Sequence, residues 1–416
     1  MTISKKMSDF LEQGSWIRRM FEDGIELKKK YGPENVFDLS LGNPIFSPPD
    51  VLYDEMESLI NNPDKSAHRY MPNAGLDETR KKVAEFLSAT TNHNFNLNNI
   101  LMTGGAGGAL NVALKSILDP GDEVIFFTPF FPEYFFYTDN HSGVSKIIDS
   151  DDNFIPDLKS LDSNINSKTK AVIINSPNNP SGTVCNNLKE IAKVAKEYKI
   201  KILSDEIYTD LTFDRNYLSI SKFYPEGTFI SGGLSKWCGA GGWRLGFFAL
   251  PEGNKEFINA LKTLASESYS TVNSPVQYAA VEAYQGNYDD YKAKTTNILK
   301  SVGNYVYNNL KSNKVLINPP QGGFYLMPEF LNSKFKTSSE MCDDILSKSG
   351  VALLPGSDFG FKNNKMLARL SFTDFDGDLF LKNISGSKEL DDDVIKKYAP
   401  NVVEGTKKLA EWHKNL

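Results

Sequence analysis

The sequence predicts an α/β protein: a large domain with a mainly parallel sheet between helices, and a smaller α+β domain beside it. Three observations predict this. From about residue 100, short apolar runs alternate with helical patterns. The runs are apolar throughout, as strands buried on both faces of a parallel sheet are. After about residue 255 the chain turns helical and then mixes extended pieces with helices, which reads as a second, smaller unit. A length of 416 residues allows two or three domains at roughly 100–200 residues each.

The elements follow in chain order. Trp16 to Lys30 has helical periodicity. VFDLSLGNP is a short apolar piece, and Asn43-Pro44 and Pro48-Pro49 stop any helix there. Residues 50–62 and 75–90 are helical with charged outer faces. VIFF (124–127), AVIIN (171–175), KILS (201–204), TFIS (228–231) and RLGFFAL (244–250) read as strands, bounded by Gly, Pro or Asp. Helical patterns between them, such as Leu188 to Tyr198, supply crossovers. A long helical stretch runs from Val276 to Asn309, and VLINPP, GGFYLMP, VALLPG and MLARLSF are extended pieces of the last third. The expected division is residues 1–50 as an N-terminal arm and part of the small domain, 51–305 as the large domain, and 306–416 as the small α+β domain.

Composition excludes several functions. Lys and Arg number 46 against 52 Asp and Glu, a formal net charge of −6. Gripping a nucleic-acid backbone needs a basic surplus, so no nucleic-acid partner is expected. No apolar run reaches the roughly 18 residues of a membrane span, so no membrane is expected either. MTISKKMSDFLEQG lacks the apolar stretch of a secretory leader. Cys185, Cys238 and Cys342 lie far apart with no CxxC, which suits a reduced, cytoplasmic protein. His68, His93, His141 and His413 are scattered without ligand spacing, so no metal is expected. No GxSxG turn marks a triad hydrolase. In DFDGD (374–378) the glycine falls at the fourth position and no glutamate stands at the twelfth, so it fails as a calcium loop.

Chemistry gathers in three segments. In Gly233-Leu-Ser-Lys236-Trp-Cys-Gly-Ala-Gly-Gly-Trp-Arg244, one lysine sits just past a strand among small residues, which let backbone come close to something bulky. Arg244 follows as the next strand begins and can reach an anion with its fork of donors. Asp205-Glu-Ile-Tyr208 lies at the C-terminal end of the KILS strand, the edge where open α/β sheets bind ligands. Asn175-Ser-Pro-Asn-Asn179-Pro-Ser-Gly182 follows AVIIN, and its prolines and glycine fix a turn that aims an amide. Each alone could be an exposed lysine, a helix cap or a plain turn; on successive strands in this order they read as one site.

With LGNP near the start and ARLSF near the end, these segments make nearly the whole chain resemble the class I/II pyridoxal-phosphate-dependent aminotransferases of fold type I, the aspartate aminotransferase-like group. The resemblance implies a seven-stranded-type sheet and pyridoxal 5′-phosphate as cofactor. It implies that Lys236 forms the Schiff base and then carries the proton between the substrate's α carbon and the cofactor. Asp205 would pair with the pyridinium nitrogen, and Tyr208 and Asn179 would hydrogen-bond the ring's phenolic oxygen. Gly105, Ala106 and Gly107, leading into ALNVALKSIL, would cradle the phosphate at a helix start, completed by Arg244. Many members carry a serine where Gly233 stands, and a serine or threonine near Ala106 and Gly107; Ser235 would partly substitute. Phe131 would stack on the ring, with Phe130 the neighbouring alternative. Tyr70 matches a tyrosine that reaches the partner subunit's phosphate, implying a homodimer with shared sites. Arg369 would grip the substrate α-carboxylate, helped by the backbone of Gly42. Trp16-Ile17 would close over the site or pack elsewhere.

The implied activity is amino transfer from an L-amino acid to a 2-oxo acid, 2-oxoglutarate foremost, by a ping-pong route. Aspartate-type donors are slightly favoured, and alanine or aromatic donors stay open; Phe130, Phe131 and Tyr134 would suit bulky apolar ones. A dicarboxylic substrate would want a second cation, for which Arg18, Arg19, Arg69, Lys262 and Lys314 are candidates. The same scaffold also supports a carbon–sulfur β-lyase. A non-enzymatic regulator would want a DNA-binding extension and a basic patch, and the chain shows neither.

Overall fold

The computed structural model describes residues 3–12, 29, 32, 35–214, 217–250, 255–331, 334–384, 386 and 390–416. Trp16-Ile17, Arg18-Arg19 and, Lys29 apart, the helix expected from Trp16 to Lys30 lie outside them. Strand β1 is Phe37–Asp38. The main sheet takes β2 (Ile100–Thr103), β3 (Glu123–Thr128), β4 (Val144–Asp149), β5 (Thr169–Asn175), β6 (Lys201–Asp205), β7 (Thr228–Gly233) and β8 (Gly246–Ala249). Their order is β2-β8-β7-β6-β5-β3-β4. Short strands follow: β9 (Val315–Leu316), β10 (Tyr325–Leu326), β11 (Glu329–Phe330), β12 (Val351–Ala352), β13 (Leu354–Pro355) and β14 (Ala368–Ser371).

The sheet is parallel except for β8, which runs antiparallel to both neighbours. The apolar run containing it was expected among parallel strands; a strand buried on both faces carries the same residues in either direction. Successive residues bury on opposite faces. Phe126, Ile173, Leu203 and Phe229 pack on one side with helix Gly105–Ile117. Ile125, Val172 and Ile202 pack on the other with helix Leu188–Glu197. Two strands of the main sheet escaped the sequence reading. β2 has four residues after an Asn-rich stretch, and β4 is an edge strand with Val144 and Ile147 exposed, so neither forms a long apolar run. The stretch expected as one helix from Val276 to Asn309 is two, Ser274–Gln285 and Asp289–Leu310, parted at Gly286.

A separate core holds the C-terminal third. Ile298, Val302 and Val306 of the Asp289–Leu310 helix pack with Phe324, Leu370, Phe372, Leu409 and Trp412. Phe37 and Leu39 belong to that core as well, and β1 pairs in parallel with β12, Phe37 against Val351. Among the described residues no helix is long and apolar enough to cross a membrane. Cys185, Cys238 and Cys342 are buried and free.

Candidate active site

The C-terminal ends of β5, β6 and β7 come out at one sheet edge. Because β8 runs backwards, its first residue Gly246 lies at that edge too, opposite Gly233 and Thr103. A cavity of about 420 Å³ opens there, lined by Gly42, Ala106, Gly107, Phe131, Asn179, Asp205, Tyr208, Ser235, Lys236, Arg244 and Arg369, among others. All but two of the expected site residues thus share one wall system. Gly105 stands just behind it at the helix start. Tyr70 is 90% exposed and does not line it.

Lys236 comes three residues after β7 ends. Its Nζ lies 3.5 Å from the Gly42 carbonyl oxygen, and 5.4 and 5.6 Å from the ring centres of Tyr208 and Phe324. Burial first, then Arg369, lowers its pKa to about 8. The glycines around it yield mostly to the protein's own backbone. A Cβ on Gly233 would come within 2.7 Å of the Leu245 carbonyl oxygen, and one on Gly239 (φ +67°) would strike the Phe46 carbonyl; Gly242 meets nothing.

Asp205 ends β6. The Tyr134 hydroxyl donates to its Oδ2 at 2.6 Å, and Asn175 Nδ2 donates to its carbonyl at 2.9 Å. Burial pushes its carboxyl up to about 6, with the Tyr134 bond holding it lower than burial alone would. Tyr208 is buried, with its hydroxyl 3.3 Å from that of Tyr325. Asn175 Oδ1 accepts from the Asn179 N–H at 2.7 Å, so one amide side chain orders both the acid and the loop after β5.

Arg369, on β14, is 1% exposed. Its Nη1 donates to Asn179 Oδ1 at 3.2 Å and its Nη2 to the Ser40 carbonyl at 2.7 Å, while its buried Nε has no partner. The guanidinium rests 4.6 Å from the Tyr325 ring centre and 5.0 Å from that of Phe359. A side chain on Gly42 would collide with the Tyr325 ring.

The opposite end is built by the helix Gly105–Ile117. Gly105 has φ +81°, a conformation glycine adopts without strain. Arg244, itself left-handed at φ +54°, donates to the carbonyls of Gly104 and Gly241, each at 3.1 Å. A cation and free helix N–H groups therefore face one corner of the cavity. Phe131 lines the cavity and stands edge-on to Tyr134, its ring centre 5.6 Å away, whereas Phe130 is buried behind it against Phe126.

Sequence reasoning missed Asn175, Glu133, Tyr137 and Tyr325 as cavity residues, and took Tyr134 only as an aromatic. Asn175 stood inside a quoted motif and could have been found; the partners of the others come from distant segments. Burial pushes the Glu133 carboxyl up to about 8. Of the proposed second cations, Arg69, Lys262 and Lys314 do not line the cavity, and Arg18 and Arg19 lie outside the described residues.

The chain matches the family described as "Aminotransferase class I and II" over residues 34–376. It is 31% identical to the probable aspartate aminotransferase of Methanocaldococcus jannaschii, over 80% of this chain and 88% of that one. It is 32% identical to the probable N-acetyl-LL-diaminopimelate aminotransferase of Bacillus subtilis, over 82% and 85%. Its fold superposes on the alanine aminotransferase of Pyrococcus furiosus with a TM-score of 0.85 over the whole of both chains, at 24% identity. The fold is therefore that of the fold-type-I aminotransferases, and the chain is an enzyme belonging to the class I and II aminotransferases.

Proposed function

We propose that this enzyme uses pyridoxal 5′-phosphate to move the amino group of an L-amino acid to a 2-oxo acid, 2-oxoglutarate foremost, in two alternating half-reactions at one site. One observation carries the reading: the half-buried Lys236 shares a single cavity with Asp205, Tyr208, Asn179 and Arg369. The residues fit the cofactor. The glycine-led helix start with Arg244 suits a phosphate, the buried acid suits a ring nitrogen, and the unpartnered Nε of Arg369 leaves a donor for a carboxylate. When bound, the cofactor supplies an electron sink for negative charge at the substrate's α carbon.

The chain's own residues do the rest. With a pKa near 8, Lys236 is partly neutral around pH 7.5, so Nζ would be able to hold the cofactor's aldehyde carbon with loss of water and, once a substrate amine displaces it, to take and return the α proton. Ionised Asp205, oriented by Tyr134 and Asn175, keeps a ring nitrogen protonated. Arg369 donates to Asn179 Oδ1, which would leave the amide Nδ2 of Asn179, with the Tyr208 hydroxyl, to hydrogen-bond the ring's phenolic oxygen. Phe131 lines the cavity and would stack on the ring, keeping water off it. Tyr70, exposed on a single chain, would complete the partner subunit's site in a homodimer. Aspartate, favoured by the resemblance and by several relatives' names, heads the donor panel.

The test is half-reaction spectroscopy. Protein loaded with pyridoxal phosphate should convert to the pyridoxamine form with an L-amino acid, and 2-oxoglutarate should restore it. Release of pyruvate and ammonia from a cysteine conjugate without any acceptor would mark a lyase instead. Lys236→Ala should keep the fold, hold the cofactor noncovalently through Arg244 and Asp205, and lose at least ~10³-fold in turnover.

A further inference from the structure

At the corner of the cavity where the helix Gly105–Ile117 starts stands a side chain that the proposed chemistry leaves unused. Tyr137 comes from the helix Glu133–Asn140 and lines the cavity with Ala106, Gly107 and Arg244. Its hydroxyl lies directly over Gly107: a Cβ there would sit 2.6 Å from that oxygen and 3.3 Å from the ring carbon bearing it. The phenol thus fills the space that a side chain at position 107 would take. Among the described residues the hydroxyl makes no hydrogen bond. Burial raises its pKa, so the oxygen keeps its proton and remains a donor. The charges that act on it include Arg244, Glu133 and Asp205. Glu133 is pushed up to about 8 by burial, so near pH 7 it is mostly uncharged and repels an anion in that corner little. The helix is also braced from outside, at residues flanking Tyr137. The Lys6 ammonium pairs with Asp139 at 2.6 Å, and Phe10 stands edge-on to Phe136.

A phosphate at a helix start is met by backbone N–H groups, and its remaining oxygens take further donors. Positions 106 and 107, Ala and Gly here, bring no hydroxyl of their own. Three kinds of donor converge on this corner from distant segments: the N–H groups of the first turn, the Arg244 guanidinium and the uncommitted phenol. We propose that the Tyr137 hydroxyl donates a hydrogen bond to the cofactor's phosphate, in the place of the side-chain hydroxyl that positions 106 and 107 lack. This rests on the transaminase reading and adds a residue to its phosphate site. It also gives the bare Gly107 a use, since bulk there would push the phenol aside. Tyr134 and Tyr137 lie three residues apart on one helix and so share a face, and Phe131 precedes them by another three. One short segment would then touch the cofactor's ring, brace the Asp205 carboxylate and hold the phosphate.

The experiment measures the affinity of the full-length protein for two ligands, pyridoxal 5′-phosphate and pyridoxal, which lacks the phosphate. Equilibrium fluorescence titration in buffer free of phosphate and sulfate gives both dissociation constants. Tyr137→Phe should weaken pyridoxal phosphate at least ~10-fold, because a hydrogen bond to a charged group is lost, and should change pyridoxal less than ~2-fold. Equal weakening of both ligands marks a packing role and overturns the proposal; so does an unchanged affinity for pyridoxal phosphate. If wild type binds pyridoxal phosphate no better than pyridoxal, the cofactor reading itself fails. If wild type prefers pyridoxal phosphate and Tyr137→Phe keeps that preference in full, only the role of Tyr137 fails. Should Tyr137→Phe not fold, Tyr137→Gln, which keeps a donor, is compared with Tyr137→Leu, which has none. The first should bind pyridoxal phosphate at least ~5-fold more tightly than the second, with pyridoxal alike in both; equal affinities for pyridoxal phosphate overturn the proposal.

Discussion

In the proposed function Asp205 is a carboxylate that stays ionised while buried, and the Tyr134 hydroxyl is the foremost of the groups that favour its charge. Burial alone disfavours the charge; a 2.6 Å bond from a neutral donor restores part of it. Cofactor binding that needs the ionised acid should therefore weaken as pH falls through about 6, where the free protein takes up the proton. Tyr134→Phe removes the bond, raises the Asp205 pKa, and should move that loss to higher pH. It should also weaken cofactor binding roughly 10-fold at neutral pH, since an unmatched buried acceptor costs about 1–3 kcal/mol. Fluorescence titration of cofactor affinity from pH 5 to 8.5 measures both. At this scale the sequence revealed the members of the site better than their supports. Lys236, Asp205, Asn179, Tyr208 and Arg369 sit in segments whose local pattern is unusual. Tyr134 is one aromatic in a Phe- and Tyr-rich run, and it earns its place through a partner 71 residues away.

At the scale of elements, the close fit is between the start of the Gly105–Ile117 helix and β8. A Cβ on Gly246 would stand 2.5 Å from the Gly105 carbonyl carbon, 2.7 Å from the Gly232 oxygen and 2.8 Å from the Ala106 nitrogen, all backbone. The helix start can approach the sheet edge only because that strand begins without a side chain. Gly246→Ala should cost about 1–3 kcal/mol in a denaturant melt, because overpacked backbone must shift. It should also weaken cofactor binding, since the shift displaces the corner shared with Arg244. Strand positions were legible wherever the chain is apolar on both faces, as at Phe126, Ile173 and Leu203. Strand direction was not, because sidedness carries no arrow. The edge strand β4 was hidden because one of its faces meets solvent, and the break at Gly286 was hidden because the helical pattern resumes beyond it.

At the scale of the molecule, the exposed Tyr70, standing apart from the cavity, poses a question of partnership. If Tyr70 serves the partner subunit's site, subunits carrying Lys236→Ala and subunits carrying Tyr70→Ala repair each other. Unfolded together and refolded, they should recover up to roughly a quarter of wild-type turnover, since half the random dimers are mixed and each mixed dimer has one sound site. Action within one's own subunit would leave the mixture as inactive as its parents. The two ends of the described chain are also tied together. β1 lies beside β12, Phe37 and Trp412 share a core, and Ser40 holds Arg369 from across the sequence. During synthesis, then, the seven-stranded layer can assemble while the ribosome is still at work. The Arg369 guanidinium, proposed to receive the substrate, is seated in its finished core only after the helix Pro400–Lys414 has emerged. A nascent chain stalled short of that point would hold most of the residues proposed for the cofactor and lack a finished mouth for the amino acid.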